Sequence, residues 1–329
     1  METEVLMTVR IAGIGTCVPE TIVTNDDLSK IVDTSDEWIK SRTGIEARHI
    51  SKNEETSDLA AEASRRALKA AGVEAADLDL IILGTSSPDY HYPSGACQVQ
   101  EKIGAVNAVA FDISAACSGF IFSMNIVEGF FKAGIYRTAL IIGAETLSKV
   151  TNWNDRSTCV LFGDGAGAAV LKNDDIGLID MLMKSDGTKA GVLMCKARTL
   201  GNCLTGTKPE PGFTVMDGQE VFKFAIKRVP ESIEELLKRN GMKKDEIKYY
   251  VLHQANKRIV EAAAKRLKEP MEKFPMTIEK YGNTSTASIP MLLNEMMDHD
   301  MLKNGDKIIL CGFGAGMTWG AVLMEWFIK

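Results

Sequence analysis

A helix–glycine–strand pattern that occurs twice limits the possible folds of this chain more than any other feature. The segment from Gly72 to Leu83 aligns without gaps with the segment from Gly241 to Leu252, at a constant shift of 169 residues. The tripeptide ending at Gly134 matches the one ending at Gly305 at a shift of 171. Two matches at nearly one offset indicate an internal duplication whose period is a whole domain. The sequence therefore predicts two similar halves with a boundary within 172–185, placed as 1–178 and 179–329.

Both halves alternate apolar strands with helices, which is typical of an α/β fold. The predicted strands are Val9–Gly15, Leu78–Gly84, Thr138–Gly143, Ala168–Leu171 and Lys248–Leu252. The predicted helices are Asp26–Val32 after an Asn25 cap, Asp36–Ser41 after a Ser35 cap, Asp58–Ala71 between Ser57 and Gly72, and Glu220–Arg239. Residues Cys195 to Gly212, rich in Gly, Thr and Pro, are predicted to form a loop.

Composition excludes several classes of protein. The 329 residues carry a formal net charge of -6, which argues against nucleic acid as the main partner. Seven scattered cysteines without a Cys-x-x-Cys pair, and four histidines without metal-ligand spacing, indicate neither a disulfide framework nor a zinc site. The acidic N-terminus and the lack of an apolar run of about 18 residues lead us to expect a cytoplasmic protein without a membrane span.

Cys117 is the candidate nucleophile. It follows an apolar run at Ala108–Phe111 and precedes a helical stripe formed by Phe120, Met124, Val127 and Phe131. We expect Cys117 at the helix start, where free N–H groups and the helix dipole lower a thiol pKa below its usual value of about 8.5. The alternative is that Cys117 is a small buried apolar residue, as most cysteines are.

Two stretches of the second half offer partners for Cys117. His253 comes at the end of a predicted strand, where open α/β sheets build their sites, and Asn283 lies in a polar run that opens a helix. Each also has a purely structural interpretation, as a core histidine and a helix cap. Papain-like hydrolases have the same Cys…His…Asn order, and His253 lies 136 residues after Cys117. However, the papain signature around the cysteine is absent.

The motifs from Val9 to Phe327 resemble those of ketoacyl-acyl carrier protein synthase III, within the thiolase-like superfamily. The resemblance rests on Asp33–Ile39 with Arg42–Ile45, Ala115–Gly119, Phe162–Ala169, His253–Asn256, Gly282–Ser285 and Gly312–Gly320. It implies a duplicated five-layer α/β/α/β/α fold, a homodimer, and no cofactor beyond the acyl-CoA and malonyl-acyl carrier protein substrates. The glycines of Phe162–Ala169 do not fit a phosphate-binding loop and are predicted to form a structural turn.

The resemblance also implies a decarboxylative condensation that initiates fatty acid synthesis. Cys117 would accept a short acyl group from CoA, with acetyl as the expected group, and the N–H groups of Cys117 and Ala315 would form the oxyanion hole. His253 and Asn283 would donate hydrogen bonds to the enolate left when malonyl loses CO2, and Phe313 would help to expel the CO2. A thiolase or a hydroxymethylglutaryl-CoA synthase must instead remove a proton and would need a carboxylate or a second cysteine.

Substrate contacts are likewise implied by the resemblance. The residues expected around CoA and its pantetheine arm are Thr34, Trp38, Arg42, Arg156, Gly218, Phe222 and Asn256. Tyr92, supplied by the dimer partner, and Met317 are expected at the acyl pocket, whereas Lys257 and Arg258 are expected to bind the acidic carrier protein, with Lys265 and Arg266 beside them. Ala315 and Met317 depart from a frequent Gly and Phe of the family, so the pocket floor is expected to differ.

Three alternatives remain at this point. The same fold serves other acceptors in quinolone or polyketide starter formation, a cysteine hydrolase has the same residue order, and a non-catalytic partner subunit is disfavoured by the intact Cys, His and Asn. The other six cysteines are expected in packing or at the surface; they are Cys17, Cys97, Cys159, Cys195, Cys203 and Cys311.

Overall fold

The computed structural model of the chain describes residues 7–197 and 212–328 and, between them, residues 201, 202, 204, 206, 208 and 210. Cys203 and part of the predicted loop Cys195–Gly212 lie outside the described residues. The strands are β1 (Thr8–Cys17), β2 (Ile22–Thr24), β3 (Ala47–His49), β4 (Leu80–Gly84), β5 (Val109–Ile113), β6 (Thr138–Glu145), β7 (Gly165–Asp174), β8 (Leu178–Ser185), β9 (Leu193–Cys195), β10 (Thr214–Met216), β11 (Tyr249–Leu252), β12 (Lys307–Gly314) and β13 (Thr318–Glu325). The α-helices are α1 (Asn25–Leu28), α2 (Asp36–Thr43), α3 (Thr56–Ala71), α4 (Gly95–Ile103), α5 (Gly119–Lys132), α6 (Arg156–Cys159), α7 (Gly218–Arg239), α8 (Lys257–Leu267), α9 (Ile278–Tyr281) and α10 (Ser288–Asp298).

Two predicted helix caps were wrong. Thr24, rather than Asn25, caps α1, because its side chain accepts from the N–H of Asp27. Helix α3 begins before Ser57, and the carboxylate of Asp89 accepts from the N–H of Ser57 at 2.9 Å. A remote loop therefore supplies this acceptor, which local sequence cannot reveal. Ser35 and Gly72 do cap α2 and α3 as predicted.

The first sheet has the strand order β1-β7-β6-β4-β5 within the described residues. Strand β4 is parallel to β5 and β6, whereas β7 is antiparallel to β1 and β6. Both faces of β4 are covered, since Ile81 belongs to one apolar core and Ile82 to another. This explains the continuous apolar runs in the sequence, which are typical of strands buried on both sides.

A second sheet has the order β11-β12-β13-β8, again among the residues described. Strand β11 is parallel to β12, and the other pairs are antiparallel. The chain passes from the first sheet to the second at residues 175–177, between β7 and β8.

Helices α5 and α10 lie between the two sheets. Phe120 of α5 and Leu292 of α10 share one core with Ile82 of the first sheet and Leu310 of the second. Each fully buried side chain of this size contributes roughly 1.5–3 kcal/mol to folding. Helices α3 and α4 cover the outer face of the first sheet, and α7 and α8 cover that of the second. These five layers confirm the predicted α/β fold and bring the starts of α5 and α10 together at the centre.

Candidate active site

Cys117 lies in a short turn between β5 and α5. The turn is a single 3-10 turn over Ala116–Ser118, so α5 begins two residues after Cys117 rather than at it. Ala116 has a φ of 45°, a left-handed conformation that is costly for a residue with a side chain. A Cβ at Gly314 would lie 2.6 Å from the Cys117 nitrogen. Only glycine therefore lets the end of β12 approach Cys117 so closely.

Two threonines hold this strained turn in place. Thr286 donates a hydrogen bond from Oγ1 to the Ala116 carbonyl at 2.7 Å. Thr318 Oγ1 lies 3.1 Å from the Ala115 carbonyl and 3.0 Å from the Ala315 carbonyl. Thr318 thus ties the nucleophile turn to the loop that carries the predicted oxyanion donor Ala315.

The expectation that Cys117 has a depressed pKa was wrong. Burial raises the pKa of the thiol from 9.0 to about 12; a hydrogen bond from Ser285 acts in the opposite direction, and the negative charge of Glu145 raises it further. Loss of hydration outweighs the helix dipole because α5 starts two residues beyond the sulfur. The free protein therefore holds Cys117 as a neutral thiol near pH 7.

Glu145 is a buried carboxyl group that sequence reasoning missed. It ends β6, has no exposed surface, and accepts from Ser87 Oγ at 2.6 Å and from the Ser86 N–H at 3.0 Å. Burial raises its pKa. A charged residue at the end of an apolar strand was the available signal.

His253 directly follows β11, and its N–H donates to the Cys311 carbonyl of β12 at 2.8 Å. Its ring Nδ1 lies 2.6 Å from Ser288 Oγ. The Phe313 ring packs against the imidazole with centroids 5.4 Å apart and planes at 69°. Burial lowers the pKa of His253 from 6.5 to about 3, so the imidazole is neutral near pH 7.

The backbone around Asn283 fixes its side-chain amide. Asn283 pairs with Phe162 in a parallel bridge, and its Oδ1 accepts from the Ser285 N–H at 2.9 Å. Since the oxygen is engaged, the two Nδ2 protons remain as donors. A Cβ at Gly163 would lie 2.2 Å from the Tyr281 carbonyl, which shows why the Phe162–Ala169 motif contains glycine here. That motif leads directly into β7, as the structural interpretation predicted.

A cavity of about 480 Å³ brings the three predicted catalytic residues together. Cys117, His253 and Asn283 all line it. The other predicted site residues on its wall are Gly218, Phe222, Asn256, Phe313 and Ala315. Its volume is in the range of small-molecule sites. Among the described residues that line it, none is Asp, Glu, Lys or Arg.

The two residues expected at the acyl pocket do not line this cavity. Met317 is completely buried in the core between the second sheet and helices α7 and α8, which also contains Trp319. The prediction that Met317 lines the acyl pocket is therefore wrong for this cavity. The side chain packs inward because β12 and β13 turn at this point. Tyr92 is 88% exposed on the surface of the single chain.

The residues predicted to hold CoA cluster at the surface. Two guanidinium groups pack over the ring of Trp38, with the Cζ of Arg42 at 4.9 Å and the Cζ of Arg156 at 4.8 Å from the ring centroid. Asn256 donates from Nδ2 to the Arg42 carbonyl at 3.0 Å and also lines the cavity, so it links this cluster to the interior. Thr34 has a buried Oγ1 without a partner among the described residues.

A basic surface lies beside the cavity on α7 and α8. Arg258 packs over the Phe222 ring at 5.4 Å, and Phe222 lines the cavity. Lys257 lies 3.9 Å from Glu261 in an exposed ion pair. A neighbouring groove is lined by the side chains of Lys223, Ile226, Lys227, Glu231, Ala262, Lys265, Arg266 and Lys268. Sequence reasoning missed the lysines of α7, because they come from a helix distant in the chain.

The hairpin formed by β9 and β10 also lines the cavity, which the sequence did not indicate. Its contributing residues are Leu193, Met194, Cys195, Thr214 and Met216. Cys195 is exposed, as expected for a surface cysteine, and it also lines the cavity. Its Sγ lies 3.7 Å from the Gly212 carbonyl.

Within the described ranges, no group of three or more His, Cys, Asp or Glu side chains could hold a metal ion. In the same part of the chain, no helix is both long and apolar enough to cross a bilayer.

Comparison with known proteins agrees with this geometry. Residues 111–187 match the family model described as 3-oxoacyl-(acyl carrier protein) synthase III, and residues 237–326 match the model of its C-terminal part. The chain is 50% identical over 320 residues to the beta-ketoacyl-(acyl carrier protein) synthase III of Clostridium acetobutylicum, which covers 97% of this chain and 98% of that relative.

Solved structures give the same result. The 3-oxoacyl-(acyl carrier protein) synthase III of Aquifex aeolicus superposes with a TM-score of 0.91 at 44% identity, over 97% of this chain and 100% of that one. The priming beta-ketosynthase of the R1128 polyketide biosynthetic pathway superposes with a TM-score of 0.89 at 32% identity, over 97% and 96% of the two chains.

Proposed function

This chain belongs to the 3-oxoacyl-(acyl carrier protein) synthase III family, and from that premise we propose that it condenses a short acyl-CoA with malonyl-acyl carrier protein. The product is a 3-oxoacyl-acyl carrier protein, and the reaction initiates fatty acid synthesis. One observation carries the proposal: a cavity that joins the Cys117 thiol to two neutral donors, His253 and Asn283, and whose described lining contains no carboxylate. Such a site stabilises an enolate without removing a proton from carbon, which suits decarboxylation.

In the first step the Cys117 sulfur attacks the acyl-CoA thioester carbonyl. A carbon–sulfur bond to Cys117 forms, the bond to CoA breaks, and the proton of the thiol leaves with the CoA sulfur. The N–H groups of Cys117 and Ala315 stabilise the oxyanion. The close approach of Gly314 to the Cys117 nitrogen supports this pairing.

In the second step malonyl loses CO2, and its thioester becomes an enolate whose oxygen accepts from His253 and Asn283. The enolate carbon attacks the acyl-Cys117 carbonyl, and the new carbon–carbon bond forms as the bond to the Cys117 sulfur breaks. Cys117 leaves as a thiolate and takes up a proton from solvent water. The Phe313 ring lies edge-on to His253 and offers the departing carboxylate an apolar neighbour.

CoA binding uses the Trp38 cluster in this proposal. An adenine between Trp38 and Arg156 needs roughly 7 Å, twice a normal contact distance of about 3.5 Å, but the two groups are 4.8 Å apart. Arg156 therefore moves aside on binding and gives up its 2.6 Å hydrogen bond to the Asp33 carbonyl. Arg42, 4.9 Å from the ring centroid of Trp38, keeps its cation–π contact with the ring.

The acidic carrier protein docks on the basic surface of α7 and α8, next to the cavity mouth. We expect Arg258→Glu to raise the KM for malonyl-acyl carrier protein about tenfold and to leave acyl transfer from CoA nearly unchanged. Lys69→Glu makes the same charge change at an exposed position of α3 and is the matched control. Equal KM values for the two variants would contradict this docking site.

The proposal includes a homodimer. Strand β5 is an edge of the first sheet within the described residues, and its Val109 is 50% exposed. Exposed edges of this kind favour pairing with another chain. By the family resemblance, Tyr92 would contribute to the partner's acyl pocket in this dimer. Sedimentation at micromolar concentration should give the mass of two chains, and a monomer would contradict the arrangement.

Three further expectations belong to the proposal. The halves 1–178 and 179–329 derive from a duplication, which is supported by the passage between the sheets at 175–177. The reaction needs no metal or organic cofactor, and it takes place in the cytoplasm.

Labelled acetyl-CoA tests the central step. Incubation followed by peptide mapping should place the acetyl group on Cys117 as a thioester. Cys195→Ser, which changes the other thiol of the cavity wall, should keep the label, and Cys117→Ala should lose it. Absence of label on Cys117 with every short acyl-CoA would overturn the proposed function.

A further inference from the structure

Ser288 contacts the ring of His253 from outside the cavity. It is the first residue of α10, is only 2% exposed, and is not part of the cavity lining. Its Oγ lies 2.6 Å from His253 Nδ1 and 3.3 Å from the backbone nitrogen of Gln254. Gln254 is itself fixed, since its Nε2 donates to the Leu252 carbonyl and its Oε1 accepts from the Thr277 N–H.

The count of hydrogen atoms decides which group donates in this contact. The Gln254 N–H is a donor, so Ser288 Oγ accepts there and still has one hydroxyl proton to place. Among the described residues, His253 Nδ1 is the acceptor found within reach of that proton. If Nδ1 carried the ring proton instead, the buried hydroxyl would have no acceptor, which costs about 1–3 kcal/mol. The hydrogen-bond network therefore favours the tautomer of His253 in which Nδ1 is unprotonated.

We infer that Ser288 is a positioning residue: its hydroxyl donates to Nδ1 of His253 and thereby places the ring proton on Nε2, the nitrogen available to the cavity. This inference rests on the proposed function, because the Nε2 proton is the one that the enolate oxygen would accept. A neutral imidazole with the other tautomer would present a lone pair to the enolate and repel it. Burial of the ring keeps it neutral, so the tautomer is the property left to be set.

The tautomer can be measured without turnover. In protein labelled with 15N-histidine, the shifts of the two ring nitrogens show which one carries the proton, and the chain has four histidines to separate. The His253 signals are assigned by their loss in His253→Gln. We expect a protonated Nε2 in the unmodified protein and a shift towards a mixture of tautomers in Ser288→Ala.

Activity provides a second readout. Ser288→Ala should slow malonyl decarboxylation about 10²-fold, as the loss of one enolate donor does, while acetylation of Cys117 stays within about twofold. Ser288→Thr keeps the hydroxyl and should restore most of the rate. Ser123→Ala removes another buried hydroxyl, on α5 and without a partner among the described residues, and should change neither readout.

The outcomes separate the two proposals. A proton on Nδ1 in the unmodified protein, or an Nε2 proton that Ser288→Ala leaves unchanged, would overturn the role of Ser288. Equal loss of acetylation and decarboxylation in Ser288→Ala would also overturn it. Failure of the proposed function would instead appear as an unlabelled Cys117 in the unmodified protein, whatever its tautomer.

Discussion

The turn that carries Cys117 and the turn that carries Thr286, 169 residues later, have similar backbone conformations, but one faces a cavity and the other is closely packed. Each is a single 3-10 turn that leads into a central helix, α5 or α10. Each also contains a residue with a side chain in the left-handed region, Ala116 at 45° and Ser285 at 50°. The strain is therefore common to both turns and is not by itself a mark of catalysis.

The space around the two turns differs. Thr286 is 1% exposed and is closely packed by three glycines, Gly84, Gly119 and Gly143, where an added Cβ would lie 2.4–3.0 Å from its atoms. Cys117 instead faces the cavity. The position 169 residues after Gly84 is His253, so the second half supplies a hydrogen-bond donor where the first half has only glycine. One turn thus supports the other: Thr286 holds the Ala116 carbonyl and leaves Cys117 free to react.

The largest expected effect is the loss of condensation activity when Cys117 is replaced, and it contrasts with a loss of stability when Thr286 is replaced. Cys117→Ala should reduce condensation on the order of 10⁶-fold, as removal of a nucleophile does, with little change in stability. Thr286→Val should keep the acyl label but lower the free energy of unfolding by about 1–3 kcal/mol, because the Ala116 carbonyl loses its donor. Rate measurements and urea unfolding test both. Loss of the acyl label in folded Thr286→Val would show that Thr286 is needed for acylation of Cys117 as well as for stability.

A second comparison concerns the residues just before the turns, Asn283 and Ser114, both of which line the cavity. Asn283→Ala should retain acylation of Cys117 and reduce malonyl decarboxylation about 10²–10³-fold, because an enolate donor is lost. Ser114→Ala should leave both steps within about twofold. Single-turnover assays of each step would decide, and equal loss of both steps in Asn283→Ala would count against the donor role.

The pH dependence of the thiol gives a smaller effect. Since burial raises the pKa of Cys117 to about 12, its thiolate fraction should increase about tenfold per pH unit below that value. Alkylation by a small electrophile should therefore become about 10²-fold faster from pH 7 to pH 9. A rate that levels off below pH 9 would mean that the thiol is acidified after all.

The smallest expected effect tests the carboxyl group between the turns. Glu145 accepts from Ser87, and its charge raises the pKa of Cys117. Glu145→Gln removes that charge, so the thiol pKa should fall and alkylation at pH 8 should accelerate severalfold. Glu128→Gln changes another buried carboxyl, at the far part of α5, and should have no effect. An unchanged rate in Glu145→Gln would show that Glu145 is already protonated.

Much of the fold could be predicted because its causes are local. Apolar runs such as that of β4 arise where a strand is covered on both faces, and Gly72 ends α3 because its left-handed conformation suits glycine. The predictions failed where a distant segment intervened. Asp89 supplies the hydrogen-bond acceptor at the start of α3. Strands β9 and β10, which lie between β8 and α7 in the sequence, contribute side chains to the cavity wall.

The sequence by itself determined the α/β alternation and the spacing of the two halves, because residue type and order carry that information. It also singled out Cys117, His253 and Asn283 as the candidate reactive set, which the structure brings together in one cavity. Only the tertiary structure decided the chemical state of those residues. Burial makes Cys117 a neutral thiol and His253 a neutral imidazole, and Ser288, from another helix, orients the ring. Hydration and hydrogen-bond partners depend on what surrounds a group in space, and that environment forms only when the two halves pack together.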